Sequence, residues 1–154
     1  MKRFVMTLAV MLLPAGVFGA DMSGVKTVYL LPMSSGLDQY LAVRLTTASV
    51  LQVVADPRNA DAVLTDHIGQ SFEDRLDEMY GTKPKSEDDN NGSTTQFARI
   101  TSGARSRGAI FLVNRKTRDV LWSAYEPPKG TAPADLNRTA DRIAEKLAKA
   151  IKGK

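Results

Sequence analysis

Two apolar runs, Gly108–Val113 (GAIFLV) and Val120–Tyr125 (VLWSAY), flank the polar stretch Asn114-Arg115-Lys116-Thr117-Arg118-Asp119 and read as a β-hairpin. Their alternation is what constrains the fold most. Ala109, Phe111 and Val113 alternate with Ile110 and Leu112, while Val120, Trp122 and Ala124 alternate with Leu121 and Tyr125. Successive strand residues point to opposite faces, so both faces of the sheet are apolar here and both need cover. A single layer of helices leaves one of them wet. The expectation is a sheet with two long helices on one face and a shorter helix on part of the other. Any apolar remainder around Phe111, Trp122 and Tyr125 is then a candidate partner surface.

The rest of the chain supplies those layers. Val25–Leu31 (VKTVYLL) reads as a strand that ends at Pro32. Ser34 or Ser35 offers an N-cap oxygen for a helix whose Leu37, Leu41, Leu45 and Ala48 share a face, with Tyr40 beside them. Val50–Val54 reads as a second strand and Ala62–Ile68 as a third, joined by a tight turn through Arg58-Asn59-Ala60. Phe72, Leu76, Met79 and Tyr80 recur at helical spacing. Gly81–Gln96 has no large apolar residue and reads as a mobile loop, extending a flexible region to about residue 107. A closing helix spans Pro133 to Ile151, with Leu136, Ala140, Ile143, Ala144, Leu147 and Ile151 as its buried stripe. The order β-α-β-β-(α)-loop-β-β-α predicts an α+β fold: a mostly antiparallel or mixed sheet of about five strands with two main helices packed on it.

The first twenty residues, MKRFVMTLAVMLLPAGVFGA, have the layout of a secretory signal peptide. Lys2 and Arg3 precede an apolar Phe4–Val17, and small residues follow at Gly16, Gly19 and Ala20. Cleavage after Gly19 or Ala20 leaves residues 20 or 21 to 154 as one exported α+β domain, periplasmic or secreted and bacterial. Of the chain's 21 basic residues, Lys2 and Arg3 go with the leader, leaving 19 against 17 acidic ones. With no long basic block, nucleic acid has little support as a partner. The sequence holds no cysteine, which excludes thiolate metal sites, thiol redox chemistry, cysteine nucleophiles and a lipoprotein anchor after the leader. The triplets Asn91-Gly92-Ser93 and Asn137-Arg138-Thr139 are glycosylation sequons in form only, if the source is bacterial.

One combination of phrases resembles a known group. Leu51-Gln52-Val53-Val54 leads to Asn59-Ala60-Asp61-Ala62-Val63-Leu64-Thr65, and the Phe111–Asn114 and Thr117–Ser123 hairpin and a terminal helix follow. This resembles bacterial envelope domains of the type found at the amino terminus of the Tol-system protein TolB, in the curli-secretion lipoprotein and in penicillin-binding-protein activators. The resemblance implies an α+β fold and a role as adaptor, assembly factor or secretion component, with no catalytic residue. Those domains commonly carry Gly in the hairpin turn, where this chain has Arg118. An arginine there in a left-handed conformation costs about 1 kcal/mol.

Candidate chemistry is sparse. The only histidine, His67, follows Asp66 on the expected third strand, where neighbours point apart, so the two are not expected to converge. Glu87-Asp88-Asp89-Asn90 lacks calcium-loop spacing, and Ser102–Gly108 reads as a small basic hairpin approach. No nucleophile elbow, phosphate loop or H-E-x-x-H is present. No cofactor, metal or catalytic residue is expected. The expected role is a non-enzymatic exported accessory or adaptor domain working through protein–protein contacts in the cell envelope, with an envelope protein or a second copy as partner and no stable membrane anchor after cleavage. The alternative is a small-ligand or envelope-glycan binding module.

Overall fold

A computed structural model describes residues 22–81 and 108–153. Residues 1–21, 82–107 and 154 lie outside the described residues, and with them the expectations placed on the signal peptide, the mobile loop, the acidic run at 87–90, the basic hairpin approach from 102 and the first sequon.

The described residues form an α+β fold with a five-stranded mixed sheet and three helices. The strands are β1 (Thr27–Leu30), β2 (Gln52–Val53), β3 (Ala62–Thr65), β4 (Ala109–Asn114) and β5 (Val120–Tyr125), and the helices are α1 (Leu37–Thr47), α2 (Gln70–Tyr80) and α3 (Pro133–Lys152). The sheet order is β2-β1-β3-β4-β5. β1 runs parallel to both β2 and β3, whereas β3–β4 and β4–β5 are antiparallel. The first three strands are shorter than their apolar runs. β3 stops at Thr65 because Thr65 Oγ1 donates to the His67 carbonyl at 3.0 Å and curls the chain off the ladder.

Register shows how the two apolar faces are used. Leu30, Leu64, Leu112 and Trp122 stand opposite one another across four strands on one face. Tyr29, Val63, Val113 and Val120 form the corresponding row on the other. The first face packs under α1 and α3, against Leu37, Leu41, Leu45, Leu136, Ala140, Ile143 and Leu147. The second packs under α2, where Phe72 and Leu76 meet Leu31, Val63 and Val113. β4 is therefore covered from both sides within one chain, whereas Val120 and Tyr125 on the α2 face of β5 stay exposed. A shift in register between Leu112 and Val113 opposes Trp122 to Leu112 and Val120 to Val113. This bulge puts Val120 and Trp122 on opposite faces, where strict alternation had placed them together.

Helix boundaries follow local chemistry. α1 takes neither Ser34 nor Ser35 as N-cap. Both lie in a 3-10 turn with Ser35 at φ 59°, and Gly36, at φ 73°, precedes the first helical residue. Asp38 in the first turn accepts the Met33 N–H at 3.0 Å and complements the positive helix end. Ala48 is exposed rather than part of the buried stripe. α3 opens on Pro133 and closes with Lys149 and Lys152, both suited to their ends. Arg44 ties α1 to α3 through Asp141 at 2.8 Å and the Asn137 amide oxygen at 3.1 Å. The Asn137 sequon thus sits in a helix with its amide engaged. Glu126, just past β5, binds Arg142 at 2.8 Å and Lys146 on α3. Hydrogen bonds from Lys146 and Arg142 hold its carboxyl below the usual range. Among the described residues no helix is long and apolar enough to cross a membrane.

Candidate functional site

The expected partner residues are not brought together. Phe111 is half-buried on the α2 face, and Trp122 is half-buried on the α1/α3 face against the main core. Tyr125, 63% exposed, lies opposite Ala109 and so shares the α2 face with Phe111. The sheet separates Trp122 from the other two.

Asp66 and His67, by contrast, do converge, which corrects the sequence expectation. Both lie past the end of β3, so strand alternation does not govern them. Asp66 Oδ1 lies 2.8 Å from His67 Nδ1, and Oδ2 accepts from the Ser34 amide and hydroxyl, each at 2.8 Å. Burial would raise this carboxyl, but the bonds from His67 and Ser34 overcome it and bring it down to about 2. An ionised carboxylate only accepts, so the proton on that ring edge sits at Nδ1. The arrangement ties the β1–α1 loop to the β3–α2 loop and fixes the imidazole. The Thr65 hydroxyl also lies 3.4 Å from Nδ1, and among the described residues no three His, Asp or Glu side chains group as metal ligands.

The more distinctive site is built around the β4–β5 turn. Asn114 organises it: its Oδ1 accepts the Lys116 and Thr117 amides at 2.8 and 3.1 Å, and its carbonyl accepts the Arg118 amide at 3.0 Å. Closing the turn this way drives Arg118 to φ 66°, the left-handed region where glycine costs least. The Arg115 amide donates to the Asp61 carbonyl at 3.1 Å and fixes the turn to the start of β3. Asp61 itself accepts the Lys26 and Thr27 amides, each at 3.0 Å, and the Thr27 hydroxyl at 2.9 Å. The Lys26 and Thr27 amides hold its carboxyl below its ordinary value. The Ala60-Asp61-Ala62 phrase is thus a structural clamp joining β1, β3 and the hairpin turn.

This turn forms one wall of an open cleft of about 800 Å³, lined by Arg58, Asp77, Glu78, Met79, Tyr80, Gly81, Arg115, Lys116 and Arg118. Arg58 comes from the 3-10 turn Pro57–Asn59, which Asp56 caps through the Arg58 amide at 2.9 Å. Tyr80 is the last residue of α2, which Gly81 ends in a left-handed conformation. The Arg115 guanidinium lies 5.3 Å from the Tyr80 ring centroid and donates to the Arg58 carbonyl. The Tyr80 hydroxyl donates to the Pro57 carbonyl at 3.0 Å, and burial pushes its phenol up against the opposing influence of Arg115 and Arg118. Arg118 reaches Asp77 at 3.3 Å and Glu73 at 4.0 Å, and its Nη1 is buried without a hydrogen-bond partner among the described residues. Among the described residues, no carboxylate lies within ion-pair distance of Arg58, Arg115 or Lys116. The negative end of α2 favours this clustering of cations.

Sequence reading missed this cleft. Its residues come from a 3-10 turn, a hairpin turn and the end of α2, which are far apart in sequence. The one available signal was Arg118 standing where Gly is usual.

Comparison with protein-family models, with curated proteins and with solved structures finds no match to this chain.

Proposed function

We propose that this chain is a non-enzymatic exported accessory domain of the bacterial cell envelope, acting by contact with a protein partner at the Arg58–Arg115–Lys116–Arg118 cleft. The observation that carries the reading is Arg118. It occupies a left-handed backbone position with one guanidinium nitrogen buried and unpartnered, beside three cations that meet no carboxylate among the described residues. Each feature costs stability locally, and such departures concentrate where a surface serves function rather than folding. The signal-peptide layout of residues 1–20 supports export, and the resemblance to envelope adaptor and assembly domains supports an accessory role. A ligand or glycan module asks for an enclosed apolar pocket with a few converging polar groups. The cleft here is open and rimmed by charge, which favours a partner surface.

Two measurements test the reading. Mass analysis of the protein in a periplasmic fraction should show a chain beginning at Ala20 or Asp21. Intact Met1 in the cytoplasm overturns export. A photo-crosslinking residue at Lys116 should give an adduct of one defined mass, with none from the exposed Val43 on α1. Adducts from Val43 and none from Lys116 overturn the assignment of the surface.

A further inference from the structure

We infer that the cleft recognises an acidic peptide segment of its partner, a run of aspartate and glutamate side chains in extended or loop conformation. The inference rests on the partner-surface reading above and adds the chemistry of the occupant.

Charge complementarity is the first ground. Arg58, Arg115, Lys116 and Arg118 bring four cations to one cleft, and only Arg118 meets carboxylates among the described residues. Guanidinium groups bind carboxylates in charge-assisted and often paired hydrogen bonds, and three of the four cations here are arginines. Rigidity is the second. The Arg115 backbone N–H donates to the Asp61 carbonyl, and its guanidinium is held by the Tyr80 ring and the Arg58 carbonyl. Little side-chain freedom remains for a ligand to remove, which lowers the cost of binding.

The shape and the remaining charges separate a peptide from other anions. A cleft of about 800 Å³ is far larger than one phosphate needs, and its cations are spread over a hairpin turn and a 3-10 turn. Asp77 and Glu78 stand on the same wall. Asp77 is paired with Arg118 and Glu78 with Arg75, so the remaining positive charge is spread over Arg58, Arg115 and Lys116, which a peptide with spaced carboxylates can span better than a compact dianion. The surface is concave, so a flat lipid headgroup layer cannot bring several charges to it at once. Tyr80, with its ring under Arg115, adds an amphipathic face for the peptide backbone.

The test uses the processed protein purified from the periplasm and a fluorescently labelled hexaglutamate peptide, read by anisotropy at 50 and 200 mM salt. Binding that weakens with salt is expected, because exposed charge contacts are screened. Arg115→Gln and Arg118→Gly should each weaken it by about tenfold, as loss of one charged hydrogen bond implies. Lys152→Gln, at the far end of α3, should leave it unchanged. Equal competition by inorganic pyrophosphate overturns the peptide assignment in favour of a general anion site. Hexaglutamate binding unaffected by both arginine variants overturns the location. No binding of hexaglutamate, while Lys116 crosslinks to a partner, overturns the acidic-segment inference and leaves the partner surface standing. Failure of both measurements removes the two together.

Discussion

Asp66→Asn isolates one buried carboxylate whose worth can be calculated. In the folded chain Asp66 accepts from His67 and from the amide and hydroxyl of Ser34, and its pKa falls from 3.8 to about 2. At about 1.36 kcal/mol per unit this is about 2 kcal/mol of stability at neutral pH. The folded pKa is depressed, so the contribution is complete above the unfolded value and disappears as pH falls through the folded one. Between those two values, at pH 3, roughly half should remain. Asparagine cannot ionise and cannot accept all three bonds, so the variant lacks this dependence. Urea unfolding of both proteins from pH 7 to pH 2.5 measures the gap directly, and the difference cancels the titration of the other carboxylates. The gap should be about 2 kcal/mol at pH 7 and should close steadily below pH 4. A gap that stays constant with pH would refute the reasoning, because the loss would then come from packing rather than ionisation.

Three further substitutions probe other links. Arg118→Gly removes a left-handed strain of about 1 kcal/mol and an unpartnered buried nitrogen, against about 1 kcal/mol for the ion pairs lost and somewhat less for a more flexible unfolded chain. Urea unfolding should show stability unchanged or raised by up to about 1 kcal/mol, and a loss above about 1.5 kcal/mol would make Arg118 a structural strut. Gly108→Ala is expected to cost at least about 2–3 kcal/mol, since φ is 103° and the new Cβ meets the Pro127 Cα at 2.4 Å. Thermal unfolding close to that of the unsubstituted protein would count against this. Phe72→Ala should cost about 3–5 kcal/mol and release α2 from the sheet, seen as early hydrogen exchange through residues 70–80. Uniform loss of protection across all three helices would contradict the assignment of α2 to its own small core.

Much of the fold was legible because it depends on burial patterns. The two-sided alternation of β4 and β5 required cover on both faces, and the leucine and alanine stripes of α1 and α3 identified the main cover. Phe72 and Leu76 marked the cover for the opposite face. What alternation could not convey was the bulge before Trp122, because one extra residue reverses the facing of everything beyond it. The end of β3 was hidden for a similar reason: a threonine hydroxyl, not an apolar residue, ends the strand and lets Asp66 and His67 meet. Site residues were harder to see. Arg58, Tyr80 and Arg115 lie on separate loops and a helix end, and only the register of β3 against β4 carries Arg115 to the others. Arg118 was visible as a departure from glycine, but the reason for tolerating it depends on what surrounds its side chain.

The most direct test of the cationic cleft is a nuclear magnetic resonance titration of the protein with unlabelled hexaglutamate, following the arginine side-chain N–H signals. Shifts confined to Arg58, Arg115 and Arg118, with the Tyr80 ring responding alongside, are the expected result. Shifts centred on Tyr125 and the β5 edge, with those arginines unmoved, would contradict it.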